Sequence, residues 1–401
     1  MNAQRPILIL TASAGAGHTV AARALAEAFA TSAPARTVEV IDVLDLANAF
    51  FRRLYAQGYL GLVRHAPGAM GWLYETMDRP DRPLRERLRV AFQRLNLRGC
   101  AHQLVARDPA LIVNTHFLPA EIVAELRRRG AWSVPQATVT TDFETHRMWV
   151  HEPTERYYTA TEEGKAYLAT WRVPPERIVV SGIPVRAAFE QPLDREAARR
   201  ALGLPERRPM VLLLCGGFGV GPTGDLLREL MRLDDTVQIV VVTGRNAPLR
   251  ERLNAIAEAA PQRVGVVGFT DRMHEYMRAA DLVVTKPGGL TASEALVCGL
   301  PIVVVNPIPG QEARNSDHLL EHGAAIKVNN PRLLGHRVGA LLTDPNRLAR
   351  LRAAAAALAR PGAAERIVRD VLGLLGGFDA PNPSVVPTEA APVASGGGSA
   401  N

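Results

Sequence analysis

The sequence predicts an α/β protein with two doubly wound domains, each built on a parallel sheet. Short apolar runs of strand length alternate with amphipathic helical patterns through most of the 401 residues, which is typical of parallel sheets covered by helices on both faces. Glycine-rich turns join strand to helix in TASAGAGH, CGGFGVGP and TKPGGL. Because the chain is longer than a usual single domain and these turns recur in both halves, two domains are expected.

The first half opens as a β-α-β unit. Apolar runs at 6–10 and 38–43 flank an alanine-rich amphipathic pattern at 20–29, which predicts two strands joined by a helix and hence a parallel sheet. The other predicted elements of this half are strands at 111–115, 136–141, 156–160 and 178–180 and a helix at 162–171. We expect the first domain to span 1–185.

The second half repeats the alternation. A helix is predicted at 193–204, and strands at 210–214, 237–243, 264–267, 282–285 and 301–305 alternate with helices as far as about residue 375. The second domain is therefore expected at 186–375. Residues 376–401 are rich in Pro, Gly, Ser and Ala, and because they offer little to bury, a disordered tail is expected there.

Composition limits the class of protein. Hydrophobic residues make up 47% of the chain, and its three cysteines lie far apart without a CxxC pair, which favours conventional cores and buried thiols in a reducing compartment. The apolar run near the N-terminus is too short for a signal peptide or a membrane span. A soluble or peripheral protein is expected.

The net charge of +7 comes almost entirely from one segment. Residues 50–100 contain ten arginines against four acidic residues, with Trp72 and Tyr74 among them. Aromatic and cationic side chains together suit the surface of an anionic membrane. The same mixture can stack on bases and contact the phosphates of nucleic acid, and two ordinary amphipathic helices with solvated arginines would also produce it. We favour membrane contact, through Trp72, Tyr74, Arg82, Arg85, Arg87 and Arg89.

The stretch DLVVTKPGGLTASEALVCGLP at 281–301 predicts an anion-binding joint between a strand and a helix. Its glycines allow close backbone approach, and the free amides and positive dipole end of the helix attract phosphate. Glu294, about one turn into the helix, could accept hydrogen bonds from sugar hydroxyls. The alternative is a helix start capped by Thr291 or Ser293, with Glu294 solvated.

Candidate catalytic residues follow two of the other predicted strands. His18 lies in the first helical turn after a glycine turn, where the helix dipole favours its neutral, base-competent form. Asp142 directly follows a strand, where a general base could lie, although it could also merely cap a turn. Glu144, His146 and His151 stand close by in sequence, but no HExxH or CxxC pattern supports a metal site.

Several motifs, in order, resemble one family. The segments TASAGAGH, TDFETHRMWVHEP, SGIPVR, CGGFGVGP, TKPGGLTASEAL and PGQEARNSDHLLEHGAA, spread over 7–328, resemble the monogalactosyldiacylglycerol synthases and the processive diacylglycerol glucosyltransferases. The related peptidoglycan enzyme that adds N-acetylglucosamine to a lipid-linked muramyl peptide has a similar layout. The resemblance implies the GT-B fold, in which two Rossmann-like domains face each other across a cleft.

The resemblance also implies roles for individual residues. The second domain would bind a UDP-sugar and the first a lipid acceptor. Glu294 would bind the ribose hydroxyls, and Phe269 with Thr270 would lie at the uracil. The other donor-side positions implied are Arg186, Gly217, Phe218, Gly289 and Leu290 for the diphosphate and Gln311 and Glu312 for the sugar hydroxyls. His18 and Asp142 match the family's catalytic region.

The implied reaction is an inverting transfer of glucose or galactose from a UDP-sugar to diacylglycerol. Such a transfer needs a base for the acceptor hydroxyl and stabilisation for the departing UDP. We favour Asp142 as the base, with His18 orienting it or sharing the role. Because amides, a helix N-terminus and Arg186 could stabilise UDP, and no DxD pair is present, no metal or other cofactor is expected.

The segment 50–97 would then bind anionic lipid, which implies a peripheral protein at the cytoplasmic face of the cell membrane and no nucleic-acid partner. Three alternatives remain. The acceptor could be another lipid-linked molecule, such as a peptidoglycan precursor. The protein could be a non-catalytic UDP-sugar-binding membrane protein, which would need no base, or a sugar-nucleotide epimerase, which would need no apolar acceptor surface.

Overall fold

The fold is built on two six-stranded sheets. The computed structural model describes residues 5–13, 15–48, 51–53, 61, 68, 71–72, 74, 76, 99–216 and 221–379. Every strand pair within these residues is parallel. Helices occupy the connections between strands, as predicted for a doubly wound α/β protein. The predicted fold class is therefore confirmed.

The first sheet has the strand order β2-β1-β3-β4-β5-β6. Its strands are β1 (Ile7–Thr11), β2 (Val38–Asp42), β3 (Leu111–Asn114), β4 (Gln136–Val139), β5 (Arg156–Thr159) and β6 (Ile178–Val180). The helices of this half are α1 (Ala16–Ser32), α2 (Phe117–Arg128) and α3 (Glu162–Thr170), and 99–105 is also helical. Ile7 of β1 pairs with β2 on one side and with β3 on the other, so the order reverses here and opens a crevice at the carboxyl ends of β1 and β3.

The second sheet has the order β12-β11-β10-β7-β8-β9. Its strands are β7 (Met210–Leu214), β8 (Gln238–Val242), β9 (Val264–Val267), β10 (Leu282–Thr285), β11 (Ile302–Val305) and β12 (Ala325–Val328). The order reverses between β7 and β10, which opens a second crevice. The sequence did not predict β12, because Lys327 interrupts its short apolar run.

Ten helices of the described residues follow the first sheet in the chain. They are α4 (Ala187–Glu190), α5 (Arg195–Leu202), α6 (Thr223–Leu230), α7 (Ala247–Ala257), α8 (Met273–Ala279), α9 (Gly289–Val297), α10 (Gln311–Glu321), α11 (Leu334–Leu342), α12 (Pro345–Leu358) and α13 (Ala363–Asp379). Short 3₁₀ turns lie at Arg147–Trp149, Pro175–Arg177 and Pro331–Leu333. None of the described helices is long and apolar enough to cross a lipid bilayer.

The last helix, α13, returns to the first sheet. Its buried residues Ile367 and Val371 share a core with Ile9 of β1 and with α1. The hydroxyl of Tyr158 on β5 donates to Asp370 Oδ2 at 2.8 Å. Although α13 falls within the range expected for the second domain, its apolar face is thus covered by the first. The helix runs to Asp379, and the rest of the expected tail, 380–401, lies outside the described residues.

The two domains share one continuous layer of buried residues. Ala21 of α1 and Phe143, which follows β4, belong to the same apolar cluster as Leu290 and Ala292 of α9. The N-terminus of α9 faces the start of α1, where a side chain at Gly17 would contact Leu290. The crevices of the two sheets therefore open onto a common cleft.

Candidate active site

The side chain of His18 lies in the cleft at the carboxyl end of the first sheet, near the start of α1. Its Nδ1 is 3.1 Å from the carbonyl oxygen of Thr115 and 2.8 Å from Thr141 Oγ1. A carbonyl can only accept a hydrogen bond, so Nδ1 carries the proton and Nε2 keeps its lone pair. Burial lowers the pKa of His18 to about 4, while the bond to Thr115 acts in the opposite direction. His18 is therefore a neutral imidazole with Nε2 able to accept a proton, as predicted, but burial is the main cause.

Asp142 follows β4 and is buried, with 6% of its surface exposed. Burial raises its pKa to about 6, a hydrogen bond from Asn315 lowers it, and the charge of Glu312 raises it further. The carboxylate form is thus present at neutral pH, while the pKa is close enough to 7 for proton transfer in both directions. Asp142 therefore has the properties of a general base.

The loop after β4 also contacts the second domain. A Cβ at position 289 would overlap the carbonyl oxygen of Thr141, so only glycine allows α9 to approach the loop so closely. Glu144 Oε1 forms an ion pair with Arg314 Nη1 on α10 at 2.7 Å. The ring of Phe143 stacks on His318 of the same helix, with 4.9 Å between ring centroids. The candidate base thus lies in a loop that the second domain covers.

Glu294 faces this cleft from the second turn of α9 and is also buried. Burial raises its pKa to about 8, while the nearby charge of Arg186 lowers it. At neutral pH the carboxyl group is mostly protonated and can donate one hydrogen bond and accept others, which suits a pair of ribose hydroxyls. Arg186 forms an ion pair with Glu27 of α1, with 2.8 Å between Nε and Oε1.

The N-terminus of α9 has no capping side chain. Its N-cap is Gly288, and no side-chain hydrogen bond satisfies the first amides. The alternative in which Thr291 or Ser293 caps the helix is therefore wrong, and Glu294 is buried rather than solvated. Free amides at a helix N-terminus bind anions readily. Gly289 and Leu290 are the first two residues of this helix, and their contact with the diphosphate stays a prediction.

Lys286 is a cleft residue to which the sequence analysis assigned no role. Lys286 follows β10, and its Nζ would lie 3.8 Å from a Cβ at Gly221, next to the second glycine turn. Burial lowers its pKa, and the charge of Glu312 acts against this. A lysine between a glycine turn and a helix N-terminus is a cation placed for phosphate, and its position directly after a strand was the signal that could have identified it.

The residues predicted for the sugar and the uracil lie at different places in the second domain. Gln311 and Glu312 begin α10, where Glu312 Oε2 accepts a hydrogen bond from the Ile308 amide at 2.7 Å. Phe269 follows β9, is 53% exposed, and carries the guanidinium of Arg245 over its ring. The hydroxyl oxygen of Thr270 accepts a hydrogen bond from the backbone amide of Arg272. Gly217 and Phe218 lie outside the described residues.

The described part of the basic, aromatic segment approaches the start of α10. Tyr74 is buried rather than at the surface, and a side chain at Gly310, which has φ 99°, would meet its ring. Its carbonyl oxygen is 2.9 Å from His146 Nε2. Trp72, by contrast, is 58% exposed. Tyr74 therefore belongs to the wall of the cleft, while Arg82, Arg85, Arg87 and Arg89 lie outside the described residues.

No group of three or more potential metal ligands occurs among the residues that the structure describes. Two polar groups of the first domain, the half-buried His18 and the buried Asp142, instead face an uncapped helix, a lysine and a protonated carboxyl group of the second.

Two parallel-sheet domains that face each other across a cleft define the GT-B fold. MurG from Acinetobacter baumannii aligns with a TM-score of 0.56 at 15% identity, covering 92% of this chain and 99% of that one. HepE from Anabaena in complex with UDP-glucose aligns with a TM-score of 0.55 at 16% identity, again over 92% and 99%. At these identities the likeness shows the fold alone.

Sequence comparison gives the family. Residues 18–185 match the family model described as monogalactosyldiacylglycerol (MGDG) synthase, and 221–358 match glycosyl transferases group 1. The processive diacylglycerol beta-glucosyltransferase of Bacillus subtilis (strain 168) is 31% identical over 372 residues, which are 93% of this chain and 96% of the relative. That of Bacillus licheniformis is 31% identical over 373 residues, with the same coverage. The chain belongs to the family of monogalactosyldiacylglycerol synthases and processive diacylglycerol glucosyltransferases, as its motifs predicted.

Proposed function

We propose that the protein transfers a hexose, glucose or galactose, from a UDP-sugar to diacylglycerol with inversion at the anomeric carbon. The observation that carries this proposal is the arrangement of the cleft, where Asp142 and His18 of one domain face the uncapped N-terminus of α9 in the other. The names of the relatives support the choice of a hexose donor and a diacylglycerol acceptor.

The donor binds to the second domain. The amides of Gly289 and Leu290, with Lys286 and Arg186, hold the diphosphate, and Glu294 binds the ribose hydroxyls. The uracil lies against Phe269 and Thr270, the sugar hydroxyls contact Gln311 and Glu312, and Gly217 with Phe218 complete the phosphate contacts. Lysine, arginine and helix amides supply the positive charge that the departing UDP needs, so the proposal requires no metal ion or other cofactor.

The acceptor hydroxyl loses its proton to Asp142 as its oxygen attacks the anomeric carbon of the sugar. The new carbon–oxygen bond forms on the face opposite to UDP, and the bond to the UDP oxygen breaks with its electron pair. His18, neutral and bonded to Thr141 through Nδ1, holds this loop against α1 and leaves Nε2 able to accept a hydrogen bond. An α-linked donor therefore gives a β-linked glycolipid.

The acceptor reaches the cleft from a membrane. Trp72 is an exposed aromatic side chain two residues from Tyr74, which lines the cleft beside α10. Aromatic side chains of this kind lie at the level of lipid headgroups, and arginines near them attract anionic lipid. We place the protein at the cytoplasmic face of the cell membrane, with Trp72, Arg82, Arg85, Arg87 and Arg89 in contact with anionic lipid and with no nucleic acid bound.

The decisive experiment incubates the purified protein with radiolabelled UDP-glucose or UDP-galactose and diacylglycerol in anionic vesicles, followed by lipid extraction. Label in the lipid phase is expected, with β-linkage shown by NMR of the product, and Asp142→Asn serves as the inactive control. Label with α-linkage would overturn inversion. If UDP binds but no lipid is labelled, diacylglycerol is not the acceptor, and a lipid-linked peptidoglycan precursor becomes the next substrate to test.

A further inference from the structure

Asn315 forms hydrogen bonds across the boundary between the domains. It lies on α10 of the second domain and has no exposed surface. Its Nδ2 donates to Oδ1 of Asp142 at 3.2 Å, and its Oδ1 accepts from the Phe143 amide at 2.9 Å. Both partners belong to the loop after β4. The candidate base is therefore contacted by a side chain of the opposite domain.

These two hydrogen bonds fix the orientation of the Asn315 amide. The Phe143 amide can only donate, so the oxygen of Asn315 must face it and the NH₂ group must face Asp142. In the part of the chain that the structure describes, Oδ2 of Asp142 accepts no hydrogen bond. One carboxylate oxygen is thus held by Asn315, and the other is left for the proton of the acceptor.

We propose that Asn315 is a positioning residue, which aims the carboxylate of Asp142 into the cleft only when the second domain is seated on the loop after β4. The inference rests on the proposed function, because it assigns Asp142 the role of base. In an open protein Asn315 would leave the loop together with α10, and the carboxylate would lose the partner that fixes its rotamer. Base alignment is in this way coupled to domain closure.

Other contacts between the two domains do not involve Asn315. Arg314, the preceding residue, pairs with Glu144 of the same loop, and Gly289 of α9 packs against Thr141. These contacts hold the domains together without touching the carboxylate. Arg314→Ala is therefore a matched control, because it removes an interdomain contact one residue away from Asn315 and leaves Asp142 with its hydrogen bond.

The charged and titratable groups around Asp142 come from three elements. Glu312 on α10 raises its pKa, His18 on α1 approaches the loop through Thr141, and the Glu144–Arg314 pair lies two residues further along the loop. A hydrogen bond to the ionised form lowers the pKa of a carboxyl group. Removing the NH₂ group of Asn315 should therefore raise the pKa of Asp142 and leave the charged neighbours in place.

The test measures the titration of Asp142 directly, by NMR of protein labelled with ¹³C at the aspartate carboxyl carbon, with Asp142→Asn to assign the signal. In Asn315→Ala the titration should move to higher pH by roughly half a unit or more, whereas Arg314→Ala should leave it in place. Asn315→Asp keeps the size of the side chain and serves as a second variant if alanine disturbs folding. It should raise the pKa further, since two carboxyl groups then face each other.

Kinetics supply the second measurement. In Asn315→Ala, kcat is expected to fall roughly 10- to 100-fold, with the acid limb of its pH profile moved upward and the KM for the UDP-sugar little changed. An unchanged Asp142 titration would overturn the inference, whether or not transfer is observed. A raised KM with an unmoved acid limb would do the same, because Asn315 would then bind donor. If the titration moves but wild-type protein transfers no sugar, the proposed function fails instead.

Discussion

At the scale of single residues, the cleft holds two buried carboxyl groups in different protonation states. The pKa of Asp142 is about 6 and that of Glu294 about 8, in both cases mainly because of burial. Asp142 accepts a hydrogen bond from Asn315, which favours the carboxylate, whereas only the charge of Arg186 acts against the raised pKa of Glu294. At neutral pH Asp142 is therefore mostly a carboxylate that can accept a proton, and Glu294 is mostly a neutral carboxyl group that can donate and accept hydrogen bonds.

Replacing Asp142 by asparagine should abolish transfer and leave donor binding intact. The amide cannot accept the proton, so kcat should fall by roughly 10²-fold or more, while UDP affinity measured by calorimetry should stay within about two-fold. In the wild type, kcat should decline as the pH falls through about 6, where Asp142 becomes protonated. Glu144→Gln is the control, because it changes a half-buried carboxylate of the same loop that pairs with Arg314 and not with Asp142. Full activity of Asp142→Asn would remove Asp142 from the role of base.

Glu294 should make the stability of the protein depend on pH. Its pKa in the folded state is raised from 4.5 to about 8, so the folded state holds the proton more tightly than the unfolded state does. The contribution of Glu294 to the free energy of unfolding is complete below pH 4.5. It falls by about 1.4 kcal/mol per pH unit as the pH rises toward 8. Glu294→Gln should therefore gain stability relative to wild type between pH 5 and pH 8, as measured by urea denaturation. A difference that does not vary with pH would contradict the burial of this group.

The chemistry of single positions could be predicted better than their contacts. His18 and Asp142 were selected because each follows a predicted strand, and parallel strands gather such residues at one edge. The bond between Asp142 and Asn315 joins residues 173 positions apart and depends on how two domains dock. Tyr74 illustrates the same limit, since its aromatic ring suggested a surface contact but packs against Gly310 instead.

At the scale of elements, the N-terminal end of α9 combines two features. Its first turn has no capping side chain, and the same turn packs against the carbonyl of Thr141 in the other domain. Two glycines in succession differ in the space around them. Gly288 has open space where a side chain would lie, whereas Gly289 has none.

Gly289→Ala should therefore separate the domains without unfolding either. The added methyl group overlaps a backbone atom that cannot rotate away, and overpacking of this kind costs about 1–3 kcal/mol. We expect a lower unfolding temperature and a larger radius of gyration in X-ray scattering. Gly288→Ala, with φ −64° and open space around its Cβ, is the matched control and should change neither. Equal behaviour of the two variants would show that the close approach at Thr141 does not hold the domains together.

Most elements could be predicted from periodicity, and the exceptions have physical causes. The apolar runs of β7 and β10 are uninterrupted, and both strands were located within a residue of their ends. β12 was missed because four residues including Lys327 carry too little pattern. The partner of α13 could not be predicted, since an apolar face indicates that a helix is covered but not which sheet covers it.

At the scale of the whole molecule, the core of the first domain is completed by α13, the last helix of the described residues. Four aliphatic side chains of α13, Ile367, Val368, Val371 and Leu375, are buried in the core of the first sheet. At about 1.5–3 kcal/mol for each buried aliphatic side chain, this is comparable with the whole stability of a domain, about 5–15 kcal/mol.

Truncation after Pro361 should thus destabilise the first domain although it removes residues that follow the second. We expect loss of the cooperative thermal transition and binding of a hydrophobic dye, because Ile9 and Phe29 lose their cover. Deletion of 380–401, which the sequence predicts to be disordered, is the control and should leave the unfolding temperature unchanged. A truncated protein that still unfolds cooperatively at the wild-type temperature would contradict a structural role for α13.

The proposed membrane attachment also belongs to the scale of the whole molecule, and Trp72 is the described residue expected to take part in it. Trp72→Ala should reduce flotation with anionic vesicles several-fold at low salt, because an exposed indole ring contributes to interfacial binding. Leu333 is similarly exposed on the second domain, so Leu333→Ala is the control and should leave flotation unchanged. Equal flotation of Trp72→Ala and wild type would remove Trp72 from the membrane contact.

The return of α13 means that the second domain is an insertion within the first. The chain leaves the first domain near Gly182 and re-enters it near Gly362, and the two crossings touch. The Gly362 amide donates to both carboxylate oxygens of Glu190 at 2.9 Å, and Arg366 Nη2 donates to the Ser181 carbonyl oxygen at 2.8 Å. Any movement of the inserted domain relative to the first would therefore have these two adjacent crossings as its hinge. Because the two crossings are adjacent, the second domain could be removed: a linker of a few residues from Gly182 to Gly362 would join the two parts of the first domain into one continuous chain.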